Sequence, residues 1–152
     1  MAKKRITTYD VRLVKEESKL YELDSTQINS AYDAGNIIQT VCHLYDSAVE
    51  KFGLICLDAK HKIIGIHILH VGGLSTCTVE IRSIYQRALL NNAHSIIIFH
   101  NHPSGDPEPS QEDKDITRRI VEAGKVMMVE VLDHVICGDV GRYVSLAERG
   151  LI

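Results

Sequence analysis

The chain has no C-x-x-C pair. Its four cysteines, Cys42, Cys56, Cys77 and Cys137, stand far apart, which excludes a cysteine-based zinc ribbon and most dithiol redox motifs. The expectation is buried, reduced thiols in a cytoplasmic protein. No apolar run approaches the ~20 residues of a membrane-spanning helix, so no membrane association is expected. The basic start, Lys3-Lys4-Arg5, leads into Ile6-Thr7-Thr8-Tyr9-Asp10 rather than an apolar segment, and a secretory signal is not expected. An excess of positive charge is missing too: 17 Lys and Arg against 20 Asp and Glu leave a net charge of −3 with neutral His. That argues against a protein whose main task is to grip the phosphate backbone of a nucleic acid. Repeats and low-complexity segments are absent. Proline is scarce, and Pro103, Pro107 and Pro109 are the only three.

What is present is an ordinary globular mixture, 45% hydrophobic and 24% charged over 152 residues, sized for one compact domain. Residues 6–15 carry β-branched and aromatic side chains and read as a strand or an extended arm, followed by a polar connector over 16–29. Ser30 with Asp33 predicts a helix N-terminus, and Ala34, Ile37, Ile38, Val41, Leu44 and Tyr45 follow at helical spacing. Two apolar runs, 52–58 and 63–70, predict paired strands joined by a hairpin, broken off at Gly72-Gly73. A second amphipathic helix is predicted from Ile81, Ile84, Tyr85, Ala88 and Leu89. The run 95–99 (SIIIF) has the composition of a fully buried central strand. A third helix is predicted from Ser110, a strand over 128–137, and a last short helix capped by Ser145 and Glu148. Alternating strands and helices imply one layered α/β domain.

Eight histidines are many for this length. His100 and His102, two apart at the end of the buried run, point the same way in extended backbone. The proline-stiffened loop after them can fold the first turn of the next helix, with Asp113, back over the strand end. Two nitrogens and one oxygen suit Zn²⁺ with one position left for water, the opening that a catalytic site keeps and a structural site closes. The same residues have a structural reading: a His-x-His at a strand end, and Ser110-x-x-Asp113 as a helix-capping pair. His67 and His70 are three apart on a strand, which predicts opposite faces and no shared metal. His43, His61 and His94 read as ordinary structural or surface residues. Asp133-His134 admits two roles, supporting a site or satisfying a buried polar position.

The spacing His100-x-His102, seven residues, Ser110, two residues, Asp113 resembles the JAMM (MPN+/JAB) metalloprotease signature, whose full form has a glutamate upstream. The text His-Asn-His-Pro-Ser-Gly-Asp-Pro-Glu-Pro-Ser-x-x-Asp is similar to the RadC branch of that superfamily. Glu50-Lys51-Phe52 resembles that family's entry to its first core strand. Leu132-Asp133-His134-Val135-Ile136 and Tyr143-Val144-Ser145-Leu146 resemble it further on. The resemblance covers about residues 30–152, leaving 1–29 as an arm, and implies a three-layer α/β/α sandwich around a mixed, curved sheet, similar to cytidine deaminases. Deaminase chemistry is not implied, because H-x-E…P-C-x-x-C is missing. Val79-Glu80-Ile81-Arg82 departs from the branch's usual His-Pro-Arg-Glu. The residues before the match are too few for the N-terminal helix-hairpin-helix module of longer relatives, which weakens a DNA-repair expectation.

The resemblance also implies roles. His100, His102 and Asp113 would hold Zn²⁺. Glu50 would be the general base that takes a proton from water and passes it to the leaving amine. Ser110 would donate a hydrogen bond to the oxyanion. The expected reaction is hydrolysis of a peptide or isopeptide bond in an unknown protein or peptide substrate. Two other readings stand beside it: a metal-dependent nuclease or DNA-repair-associated factor, and a non-catalytic assembly module that keeps zinc for stability. Pairing through helix faces, common in related folds, makes a homodimer an expectation.

Overall fold

The computed structural model describes residues 4–72 and 79–152; of the residues singled out above, Lys3, Gly73 and Cys77 lie outside them. Helix α1 (Ala31–Cys42) starts where the sequence marks it: the Ser30 hydroxyl accepts the Asp33 amide at 3.2 Å, while the Asp33 carboxylate accepts the Asn29 amide. Strands β1 (Glu50–Leu57) and β2 (Ile63–Gly72) form an antiparallel pair. Their turn is built on Asp58, whose carboxylate accepts the amides of Lys60 and Lys62. Then come α2 (Ile81–Leu90), β3 (Ser95–Asn101), α3 (Gln111–Met127), β4 (Glu130–Cys137) and the short β5 (Tyr143–Ser145).

The strands make one mixed sheet in the order β2-β1-β3-β4-β5, in which β3 and β4 are parallel and the other neighbours antiparallel. Alternation, reset in β4 by an irregularity between Val131 and Asp133, divides its side chains between two cores. Ile55, Leu57, Ile97, Phe99, Val135 and Cys137 face α1 and pack with Ala34, Ile37 and Ile38. Phe52, Leu54, Cys56, Ile96, Ile98 and Val131 face the other way and pack with Ile84, Tyr85, Ala88 and Ile120 of α2 and α3. Helices on both faces of the sheet make the three layers anticipated for an α/β fold of this kind. β3 is buried along its whole length, as its unbroken apolar run predicts. The described residues include no helix long and apolar enough to cross a membrane.

Three local expectations change. Residues 6–15 form no strand; the chain over 4–22 is exposed and without regular structure, and among the described residues no core cluster takes up its apolar side chains. Ser145 does accept the Glu148 amide at 3.0 Å, yet no helix follows. One helical bond forms, from the Arg149 amide to the Ser145 carbonyl at 3.3 Å, but the following ones run from Gly150 to Ala147 and from Leu151 to Leu146, and Gly150 has φ 67°, so the segment closes as a turn after a single loop. His67 and His70 do not face opposite ways. β2 carries one extra residue at Leu69, so that His70 lies opposite Phe52 and His67 opposite Leu54. A β-bulge cancels one step of alternation, and both imidazoles share the α2–α3 face. His67 spends its Nε2 on Asn91 at 2.6 Å.

Candidate metal centre

The site sits where β1 and β3 end together against the start of α3. His100 lies opposite Phe52 in the β1–β3 ladder, on the α2–α3 face like Ile96 and Ile98. His102 continues that alternation one step past the strand, its amide donating to the Cys137 carbonyl at 2.9 Å. Asp113 is the third residue of α3.

Between them the loop is a stiff, alternating strap. Gly105, Pro107 and Pro109 are buried while Asp106, Glu108 and Ser110 face out. Glycine suits position 105 because its φ is 82°, and a Cβ there would also press on the exposed Asp139 carboxylate. Two arginines of the last segment fasten the strap from outside. Arg142 reaches the Gly105 carbonyl at 3.3 Å and the Asp106 carboxylate at 3.6 Å, and Arg149 meets Glu108 at 2.6 Å. The fastening has a consequence inside: the Asp106 carbonyl lies 2.8 Å from His102 Nδ1. A carbonyl only accepts, so Nδ1 carries a proton, and the neutral ring presents a bare Nε2 to the site.

His100 Nε2 is 3.0 Å from His102 Nε2 and 3.2 Å from Asp113 Oδ1, and His102 Nε2 is 3.4 Å from Asp113 Oδ2. Ligands at 2.0–2.1 Å around a tetrahedral zinc are about 3.3–3.4 Å apart; the spacings from the two nitrogens to each other and to the two Asp113 oxygens are of that size, and taken one atom per residue the three ligands lie within 4.8 Å of one another. Two imidazoles and a carboxylate are also the donor types zinc takes in open sites. Among the described residues this is the one group of three or more His, Cys, Asp or Glu able to hold a metal ion. The residues present fit the group.

The electrostatics agree with that fit. Burial works to raise the Asp113 carboxyl, but the neighbouring His100 and His102 rings and the Ser110 hydroxyl outweigh it and hold the group well below the usual carboxylate range. His102 is raised above its ordinary value, first by Asp113, against burial, with the Asp106 carbonyl and the Glu50 carboxylate adding to it. The pocket therefore favours positive charge at its centre.

Glu50 opens β1, half-buried, two residues from Phe52 and so on the same face as His100. It does not join the ligand group, but its charge is felt at His102. Asn101 holds this end of β1 in place. Its side chain accepts the Lys51 amide at 2.7 Å and donates to the Val49 carbonyl at 3.2 Å, gripping the backbone on either side of Glu50. Ser110 caps α3 in a reciprocal box with Asp113. Its Oγ accepts the Asp113 amide at 3.1 Å, and its hydroxyl lies 2.7 Å from Asp113 Oδ2.

Two supports escaped the sequence reading. Asn101 lies between the histidines and reads as part of the motif, with no signal of its bonds to β1. Thr117 does carry a signal, since it follows Asp113 by four residues on the same helix face. Phe52 completes the surroundings, stacked on His100 at 6.1 Å and edge-on to His134 at 5.8 Å between ring centres. Asp133 faces the other side of the sheet. It accepts Ser145 Oγ at 2.6 Å and the amides of His134 and Ala147, anchoring the C-terminal turn rather than the site.

The family model described as the RadC-like JAB domain matches residues 28–151. A UPF0758 protein of Desulfitobacterium hafniense (strain DSM 10664 / DCB-2) is 42% identical over 125 residues, 82% of this chain and 54% of that protein. One from Caldanaerobacter subterraneus subsp. tengcongensis is 50% identical over 101 residues, 66% of this chain and 43% of that protein. One from Methanosarcina barkeri is 45% identical over 103 residues, covering 68% and 44%. The chain spans about half the length of the curated relatives it matches.

Proposed function

The chain belongs to the RadC-like JAB domain family, and from that premise we propose that it is a zinc-dependent hydrolase of JAMM type that cleaves a peptide or isopeptide bond. The observation that carries the reading is the convergence of His100 Nε2, His102 Nε2 and an Asp113 carboxylate oxygen within 4.8 Å of one another, with a second carboxylate, Glu50, close by but outside the ligand set. His100, His102 and Asp113 hold the ion. A bound zinc ion supplies a water acidified to a pKa of ~7 and polarises the scissile carbonyl.

The remaining work falls to the chain. Glu50, held at the sheet end by Asn101, takes the proton of the attacking water and gives it to the leaving amine, which would otherwise depart as an unstable anion. Ser110, at the exposed rim, donates to the oxyanion; to do so it turns its hydroxyl from Asp113 Oδ2. Phe52 walls off the inner side of His100 and keeps solvent from competing for its ring nitrogens. Phosphoryl transfer is less well matched to a single three-residue ligand group, since that chemistry often uses two metals about 3.5–4 Å apart.

Purified protein is expected to hold one zinc per chain, to lose it to a chelator and to regain it on addition of zinc salt. Metal analysis showing neither native zinc nor uptake would end the reading. Ser110→Ala separates the two uses of that hydroxyl. If it serves the oxyanion, kcat falls by about 10²–10³ with zinc affinity unchanged. If it only steadies Asp113, zinc affinity falls about 10–100-fold, and activity recovers when zinc is raised.

A further inference from the structure

We propose that Thr117 and His134 are a positioning pair that sets the tautomer of His100, holding its Nε2 bare toward the ion. The inference rests on the metal-site reading above, but it is drawn from hydrogen bonds that exist without an ion. Both side chains are fully buried. Thr117 Oγ1 is 2.5 Å from the Asp113 carbonyl oxygen and 2.6 Å from His134 Nδ1. His134 Nε2 is in turn 2.8 Å from His100 Nδ1.

The directions of these bonds follow from one fixed end. Two oxygens 2.5 Å apart require a hydrogen between them, and a carbonyl supplies none. The Thr117 hydroxyl proton therefore points at Asp113 O. Thr117 Oγ1 must then accept, so His134 carries its proton on Nδ1 and offers a lone pair at Nε2. His100 must fill that lone pair from Nδ1, so in the neutral ring it is Nε2 that is left without hydrogen. The Phe52 ring lies against both imidazoles.

The opposite tautomer of His100 would leave the His134 Nε2 lone pair without a donor at 2.8 Å, or else force Thr117 to turn from the carbonyl; the lone pairs that converge in the assigned tautomer, on His100 Nε2, His102 Nε2 and the Asp113 carboxylate, are the ones an ion would satisfy. Asp113 thus acts at both ends: its backbone oxygen orients the chain of donors, and its carboxylate stands 3.2 Å from the nitrogen so exposed. His102 reaches the same state through the Asp106 carbonyl. β4 supplies no ligand, yet through His134 it ties β3 to α3 behind the site.

The experiment combines ring-tautomer NMR on the metal-free protein with zinc titration of two variants. In the native protein, two-bond ¹H–¹⁵N correlations at pH 8 are expected to show His100 and His134 protonated on Nδ1, with both Nε2 atoms bare. Thr117→Val removes the hydroxyl at constant shape and is expected to weaken zinc binding about 10–100-fold; Thr117→Ser restores the donor and native affinity. A His100 that carries its hydrogen on Nε2 would overturn the proposal, as would native zinc affinity in Thr117→Val. Should Thr117→Val fail to fold, the NMR of the native protein and the Thr117→Ser titration still decide. If the native protein shows the expected ring pattern but takes up no zinc, the metal reading fails and the tautomer assignment stands.

Discussion

Glu50→Gln is expected to lower amide hydrolysis by about 10²–10⁴-fold while zinc content and thermal unfolding stay at native values. The expectation separates two jobs that the proposed hydrolysis gives to carboxylates at this site. Asp113 stands within ligand distance of both imidazoles; Glu50 stands on the same face but outside that group. Gln keeps the shape of Glu and its place at the head of β1, and removes only the capacity to take a proton. Asn101→Ala offers an independent approach. It releases the backbone on both sides of Glu50 without touching a ligand, so it should depress kcat more than zinc affinity. The readouts are turnover of a peptide or isopeptide substrate and zinc content by metal analysis. Native turnover in Glu50→Gln would show that another group moves the proton. A joint loss of zinc and turnover would show that Glu50 holds the ion.

The parts of this arrangement that the sequence displays are those set by local rules. The run Ile96-Ile97-Ile98-Phe99 can only be a strand buried on both faces, and the i, i+2 relation of His100 and His102 survives folding because extended backbone alternates whatever its surroundings. Ser30 and Ser110 both cap where their spacing to Asp33 and Asp113 says they should. What was hidden depends on pairing between distant segments. The extra residue at Leu69 exists only relative to β1, so three-residue spacing alone misplaces His67 and His70. Residues 6–15 have strand composition but no partner. Nor does anything in the string His100-Asn101-His102 reveal that the middle side chain grips β1 while its neighbours face the site, or that Thr117 and His134, seventeen residues apart, meet behind it.

Metal-free and zinc-loaded protein are expected to respond to pH in opposite directions near neutrality, and Asp113→Asn to abolish the contrast. Without zinc, His102 has its affinity for a proton raised, chiefly by Asp113. A group whose value is higher in the folded state than in the unfolded stabilises the fold below its unfolded value of about 6.5, and that contribution disappears as pH rises through the folded value. Asp113 is displaced the other way: its contribution is present above about 3.9 and is lost only in strong acid. The thermal midpoint of the metal-free protein should therefore fall as pH climbs from 6 through the raised His102 value. With zinc the sign reverses, because the ligand nitrogens must be free of protons to bind and each rise in pH tightens the complex. At a zinc concentration 100-fold above Kd the added stability is about 2.7 kcal/mol, or about 5–10 °C for a chain of this length. Asp113→Asn keeps the side-chain shape but removes both the charge that raises His102 and one of the three ligands. Its zinc affinity should drop by more than the 10–100-fold typical of an outer partner, and its midpoint should lose the decline above pH 6 along with the gain from zinc. Scanning unfolding from pH 5.5 to 8.5, with and without zinc, reads both effects. If native protein without zinc grows more stable as pH rises while Asp113→Asn keeps the zinc-dependent gain, the carboxylate at position 113 is a helix cap and not a ligand.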